Sequence, residues 1–232
     1  MRNTPRALNF FASLHLTIFE RPVNFEFFSQ SGGEPIGMIS KAKRQSETLR
    51  AGYAQCMIVD PGHAIADTRL QNRTLSPLQC LNRAGAGVPI LIVFSAATCS
   101  QRSEMLELVG MLKSSAATRG DAIIALLSSR HRELIEALAG KGADFVVIRS
   151  DIPDSEGMDS MLRELSMDDA PRHHLQEMCP HLAYMPLDCE GELIVCEAYK
   201  RRLVIGPARM HALCGKTVHA GCEYFKSPRF HS

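Results

Sequence analysis

Five of the eight cysteines fall in the last 54 residues, at Cys179, Cys189, Cys196, Cys214 and Cys222, with His174, His181, His211 and His219 lying among them. Thiolate and imidazole are the ligands that borderline and soft metals prefer, so the chain's chemistry concentrates here. Cys179, Cys196, Cys214 and Cys222 give the spacing C-x16-C-x17-C-x7-C. Zinc ribbons and fingers use tight C-x2-C or C-x4-C knuckles, because two thiolates on one turn fix half a tetrahedron. No such knuckle occurs in this tail. Iron–sulfur clusters accept wider spacing when each thiolate comes from its own loop. The four cysteines are therefore the candidate ligands of an iron–sulfur cluster of the [4Fe–4S] kind, with structural zinc as the alternative. Cys189 and His219, the latter three residues before Cys222, stand as substitute ligands. A disulfide framework would require export, and buried thiols without metal are the remaining reading.

Elsewhere the chemistry is thinner, and no catalytic residue is assigned. Cys99, in Ala97-Thr98-Cys99-Ser100, is placed on a loop at the carboxyl edge of a sheet and is the one thiol to weigh as a nucleophile. No histidine and acid are placed by spacing to activate it. Cys56 and Cys80 read as buried structural thiols. Gly85-Ala86-Gly87 precedes a strand instead of opening a helix, so it is a loop and not a phosphate cradle. Asn72-Arg73-Thr74 matches a glycosylation sequon, which carries weight only in an exported chain.

The elements that must position these groups alternate from Gln55 onward. Near-continuous apolar runs at Cys56–Val59, Val88–Phe94, Ala122–Leu127 and Asp144–Ile148 read as strands buried on both faces of a mostly parallel sheet. Between them Glu104–Ser115, with Met105, Leu108, Val109 and Leu112 on one stripe, and His131–Ala139 have helical period. Ser76-Pro77 opens a shorter helix, with Ser76 as N-cap and Pro77 at its first position. Gly140 and Gly142 stop the helix before the last strand. Ser150 to Pro171 reads as an acidic connector holding one short helix, Met158–Leu165. Beyond it, His173–Met178 is helical, Glu192–Cys196 and Arg202–Ile205 form a hairpin, and Pro207–Leu213 is a short helix. Some 60 residues are few for a core of their own, and a metal staple would help them fold.

The strand–helix order, closest at Ala122 to Arg149 with Gly142-Ala143-Asp144-Phe145-Val146-Val147, resembles the receiver domain of two-component response regulators. The resemblance implies a flavodoxin-like sheet, Mg²⁺-binding acids after the first strand, an aspartate at the end of the central strand, a hydroxyl and a lysine. Asp60 matches one acid and Ser128 the hydroxyl. The central strand, however, ends at Phe94-Ser95, without a carboxylate to phosphorylate. Only 35 residues separate Asp60 from Ser95, so the unit around the second strand is shortened. The implied domain is a degenerate receiver used for docking or dimerisation, in which Asp60 and Ser128 are structural.

The tail in turn resembles a family of cysteine-rich domains of anaerobic bacteria and archaea. The matching elements are Cys179-Pro180-His181-Leu182, Cys196-Glu197-Ala198-Tyr199, Arg202-Leu203-Val204-Ile205-Gly206-Pro207, Cys214 and Cys222-Glu223-Tyr224-Phe225. That resemblance implies a four-cysteine site, often attached to signalling modules, and supplies no reaction. Cys189 falls outside its pattern, and Tyr199 and Tyr224 are expected to pack over the site.

Composition bounds the rest. With 26 Lys and Arg against 25 Asp and Glu, the net charge of +1 provides no field to gather nucleic acid or anionic lipid. No stretch approaches the roughly 20 apolar residues of a membrane span. Arg2, Arg6 and the interrupted apolar run Leu8–Phe19 faintly resemble a targeting segment, but no small-residue cleavage site follows. A loosely docked extension is expected instead, ahead of a helix-like run at Ile39–Arg50. The sequence thus predicts an N-terminal extension and helix over residues 1–50, a receiver-like α/β domain over 51–167 and a small cysteine-rich α+β module over 168–232. A cytoplasmic regulator with a protein partner or a second copy of itself follows as the functional expectation. A zinc interaction module and an electron-transfer or thiol redox protein using Cys189 or Cys99 are the alternatives.

Overall fold

A computed structural model describes residues 56–65, 72–85, 87–95, 97–152, 154–187, 191–200 and 203–229. Cys189, the run at Ile39–Arg50 and the rest of the N-terminal extension lie outside the described residues.

Short runs of Ile, Val and Leu become strands here because both faces of each are covered. The chain runs through β1 (Met57–Val59), β2 (Arg73–Thr74), α1 (Pro77–Arg83), β3 (Ile90–Val93), α2 (Cys99–Ser114), β4 (Ile123–Leu127), α3 (Arg132–Lys141), β5 (Phe145–Ile148) and α4 (Ser155–Glu164). The five strands form one all-parallel sheet in the order β2-β1-β3-β4-β5. That order is compatible with a flavodoxin-like fold. Alternate residues of each strand face opposite sides. Ile90, Ile92, Ile123 and Ala125 pack against α1, α2 and α3, whereas Leu91, Val93, Ile124 and Leu126 pack with Met158, Met161 and Leu162 of α4. No described helix is long and apolar enough to cross a membrane.

Local signals account for most boundaries. Ser76 caps α1 by accepting from the Gln79 amide, with Pro77 at the first helical position. Gly142 ends α3 at φ 92°, a backbone region that a side chain disfavours. The start of α2 differs from expectation. Thr98 and Gln101 form a reciprocal capping box, so the helix begins at Cys99, not Glu104, and Cys99 is its first residue instead of a loop residue. The shortened second strand is the two-residue β2, which carries two residues of the sequon.

The C-terminal segment continues with α5 (Pro171–Glu177), β6 (Leu182–Pro186), β7 (Glu192–Cys196) and β8 (Leu203–Val204). The expected pairing of Glu192–Cys196 with the Leu203 region is present as β7–β8, but it is the shorter one. β7 pairs over its whole length with β6, making a three-stranded antiparallel sheet. The sequence reading missed β6 because Pro186 and Tyr184 interrupt its apolar pattern. The expected helix from Pro207 is a single helical turn, Pro207–Arg209, passing into a π-turn at Met210–Cys214. A 3₁₀ turn at Thr217–Gly221 and a short helix, α6 (Glu223–Lys226), follow. Met178, Leu182, Ala198, Ile205 and Met210 share one continuous apolar cluster with α1 to α3.

Candidate metal centre

Four segments of the chain bring four cysteines to one place. Cys179 follows α5, and its amide donates to the Cys214 carbonyl at 2.8 Å. Cys196 ends β7, opposite Leu182 in the β6–β7 register. Cys214 closes the π-turn, whose wide i→i+5 bond runs from the Gly215 amide to the Met210 carbonyl at 2.8 Å. A Cβ at Gly215 would stand 3.0 Å from that carbonyl, so the turn closes most easily on glycine. Cys222 caps α6. All four line one small cavity of about 10 Å³, room for roughly one water molecule. No disulfide joins any of the seven described cysteines.

The thiols act on one another electrostatically in all six pairs. Burial, then the other thiols, pushes Cys214 up to about 11. Burial likewise raises Cys179 and Cys196. Four ionised sulfurs in such a site repel unless a cation stands among them, and a bound metal inverts that balance. By contrast Cys56 is pushed up to about 12, chiefly by burial, and Cys80 to about 11 by burial alone, with no thiol among the causes, and both behave as structural thiols.

The walls suit an anionic sulfur group. Of the described residues lining the cavity, none carries a carboxylate, and Arg209 supplies a guanidinium with Nη2 3.9 Å from Cys222 Sγ. Arg209 also lies over the Tyr224 ring at 5.7 Å; Tyr224 lines the cavity, whereas Tyr199, which packs on Tyr224 at 4.7 Å, is not among the lining residues. His219 lines the cavity with Nδ1 against the carbonyls of Lys216, at 2.7 Å, and Glu177, at 3.2 Å. Facing two acceptors, Nδ1 carries the hydrogen, which leaves the lone pair on Nε2. A histidine prepared in this way is the usual form of a metal ligand. Burial lowers His181, whose ring packs at 5.7 Å from Phe225. Among the described residues no three Cys, His, Asp or Glu side chains are gathered closely enough to hold one ion. The lining is thiophilic in type, four thiols and two imidazoles.

A basic run that the sequence reading passed over holds these loops against the parallel sheet. Arg130, His131 and Arg132 leave the carboxyl end of β4. Arg130 Nη1 donates to Glu177 at 2.8 Å and to the Gly215 carbonyl, next to Cys214. Arg132 Nη1 donates to the carbonyls of Leu175, at 3.2 Å, and Met178, at 3.1 Å, the latter next to Cys179. Its backbone amide donates to the Tyr184 hydroxyl at 2.9 Å. His131 stacks on Tyr184 with centroids 3.8 Å apart and pairs with Glu192 of β7 at 2.8 Å. The partners lie 43 to 85 residues downstream, and the run itself looks like an ordinary helix start.

The remaining candidates resolve differently. Asp60 is fully buried, and its carboxylate accepts from the amides of Ala64 and Ile65, each at 2.9 Å, and pairs with Arg73 at 2.8 Å. It fastens a loop. Ser95 is buried two residues beyond the end of the central strand β3, and Ser128 is exposed. Cys99 is exposed at the start of α2 near His131, but both nitrogens of that histidine are committed. Nδ1 accepts from the Leu134 amide and Nε2 donates to Glu192, so His131 is not placed to act as a base for the thiol. No family model and no curated protein matches the chain.

Proposed function

We propose that this chain is a non-catalytic regulatory or sensory protein. In this reading Cys179, Cys196, Cys214 and Cys222 hold an iron–sulfur cluster on a degenerate receiver-like scaffold whose phosphoacceptor chemistry is gone. One observation carries it: four thiols spread over 44 residues of sequence line a single cavity, in mutual electrostatic range, with an arginine beside them and no acid. An iron–sulfur cluster takes each thiolate on its own iron and accepts ligands this far apart in sequence; to receive it, the cavity of about 10 Å³ would have to open as the four segments part. Bound there, the cluster would supply a reversible one-electron change and sensitivity to oxygen. The chain's own part is to exclude water with Tyr224 and Phe225, to balance charge with Arg209, and to pass any loosening of the loops to the sheet edge through Arg130 and Arg132. A protein partner or a second copy would read that change.

Zinc held with the help of His219 is the second reading, favoured by the Nδ1–carbonyl contacts that ready Nε2 for a metal. Anaerobic purification followed by an absorption spectrum with iron, sulfide and zinc analysis separates the two. Brown protein with about four irons per chain supports the cluster; colourless protein with one zinc supports the second reading. If serine at each of the four cysteines in turn leaves metal content unchanged, both fail.

A further inference from the structure

Where the β6–β7 hairpin leans over the carboxyl edge of the parallel sheet, a cleft of about 520 Å³ remains. That is the size of cavity that takes a small organic molecule, and this edge is where doubly wound sheets receive their ligands. One wall is the amino end of the 16-residue α2, the positive end of its dipole. One turn in stands Arg102. Its Nε is buried without a partner, and its guanidinium meets only Glu192 among the described residues, at a loose 3.5 Å. The facing wall is flat: His131 and Tyr184 are stacked with 12° between their planes, and Ile194 lies beside them. Arg130 also lines the cleft, but its guanidinium is already paired with Glu177, which leaves Arg102 as the group for an anion.

We propose that this cleft binds a small organic molecule bearing an oxyanion, phosphoryl or carboxyl, which takes Arg102 from Glu192 and rests its body on the His131–Tyr184 stack. The exchange is favourable by geometry. A guanidinium held at 3.5 Å gains charge-assisted bonds of about 2.7 to 2.9 Å, in bidentate form. Glu192 loses little, because its other oxygen stays with His131 at 2.8 Å. Since Glu192 opens β7 and Cys196 ends it, an occupant also acts on the strand that carries one of the four thiols. Glu192 is thus the built-in competitor of the incoming oxyanion. The site stands on the cleft alone and does not depend on what the thiols hold.

The asymmetry between Arg102 and Glu192 gives the test. The full chain is titrated calorimetrically with inorganic phosphate and, separately, with succinate, which tells a phosphoryl from a carboxyl preference. Saturable binding of at least one is expected. For that anion Arg102→Gln weakens affinity at least tenfold, and Glu192→Gln, which removes the competing charge yet keeps an acceptor for His131, tightens it several-fold. Circular dichroism checks that both variants fold; should Arg102→Gln not fold, the Glu192→Gln result still decides. Equal affinity in wild type and Arg102→Gln, weaker binding in Glu192→Gln, or no saturable heat with either anion up to about 10 mM overturns the proposal.

Discussion

Arg132→Met removes the donors of the clamp while keeping the length of the side chain. In the native chain one guanidinium nitrogen serves two carbonyls, those of Leu175 and Met178, at 3.2 and 3.1 Å, from a side chain only 15% exposed. A hydrogen bond from a charged donor contributes about 1.5 to 3 kcal/mol. Because one nitrogen is shared between two acceptors, the lower value applies to each, and the loss is about 3 kcal/mol. The ion pair with Glu136 is a half-exposed i,i+4 contact and adds less than about 0.5 kcal/mol. The loss falls on the loop that presents Cys179, so about 3 kcal/mol raises the population of its opened form by roughly 100-fold. Urea unfolding measures the first quantity. Chelator-driven metal release, or alkylation of Cys179 in metal-free protein, measures the second. Arg132→Lys, with a single point-like ammonium, should restore about half of the lost stability. Stability within about 0.5 kcal/mol of wild type together with unchanged release or alkylation would refute the reasoning.

Two further outcomes are expected. Asp60→Ala strands Arg73, the half-buried amide of Ala64 and the buried amide of Ile65 and should cost about 3 to 5 kcal/mol in urea unfolding; a cost below about 1 kcal/mol would mean that the carboxylate is not the loop's fastening. Burial lowers His174, whose Nε2 donates to the Val146 carbonyl at 2.8 Å while Nδ1 is buried without a partner. The folded state therefore resists a proton that the unfolded state accepts, so stability is full above the ordinary histidine range near pH 6.5 and falls as pH drops below it. His174→Gln should flatten that slope between about pH 6.5 and 5 relative to wild type, and an unchanged slope would exonerate His174.

What the residues disclose in advance follows from how local each signal is. β3, β4 and β5 are legible because strands covered on both faces are apolar at every position. Ser76-Pro77 and Gly142 are legible because capping is settled within one turn. β2 and β6 are not, since two residues at an edge and a run broken by Tyr184 and Pro186 carry no period. The capping box of Thr98 and Gln101 was readable, and it places Cys99 on a helix. The four cysteines could be picked out by type and spacing, but their meeting depends on a π-turn and on the Cys179–Cys214 backbone bond, which no spacing rule contains. Arg130 to Arg132 was the least legible feature, because its significance lies wholly in carbonyls far along the chain.

The sheet separates two apolar clusters, and the cysteine loops belong to only one of them. Cys179, Cys196 and Cys214 pack into the same mass as α1, α2 and α3, whereas α4 and the strand residues facing it form the other. The molecule is in this sense one-sided. Slackening at the thiols would meet the α1–α3 side first, with the sheet standing between it and the α4 side. A protein that reads the state of those thiols would therefore find its footing on the first side.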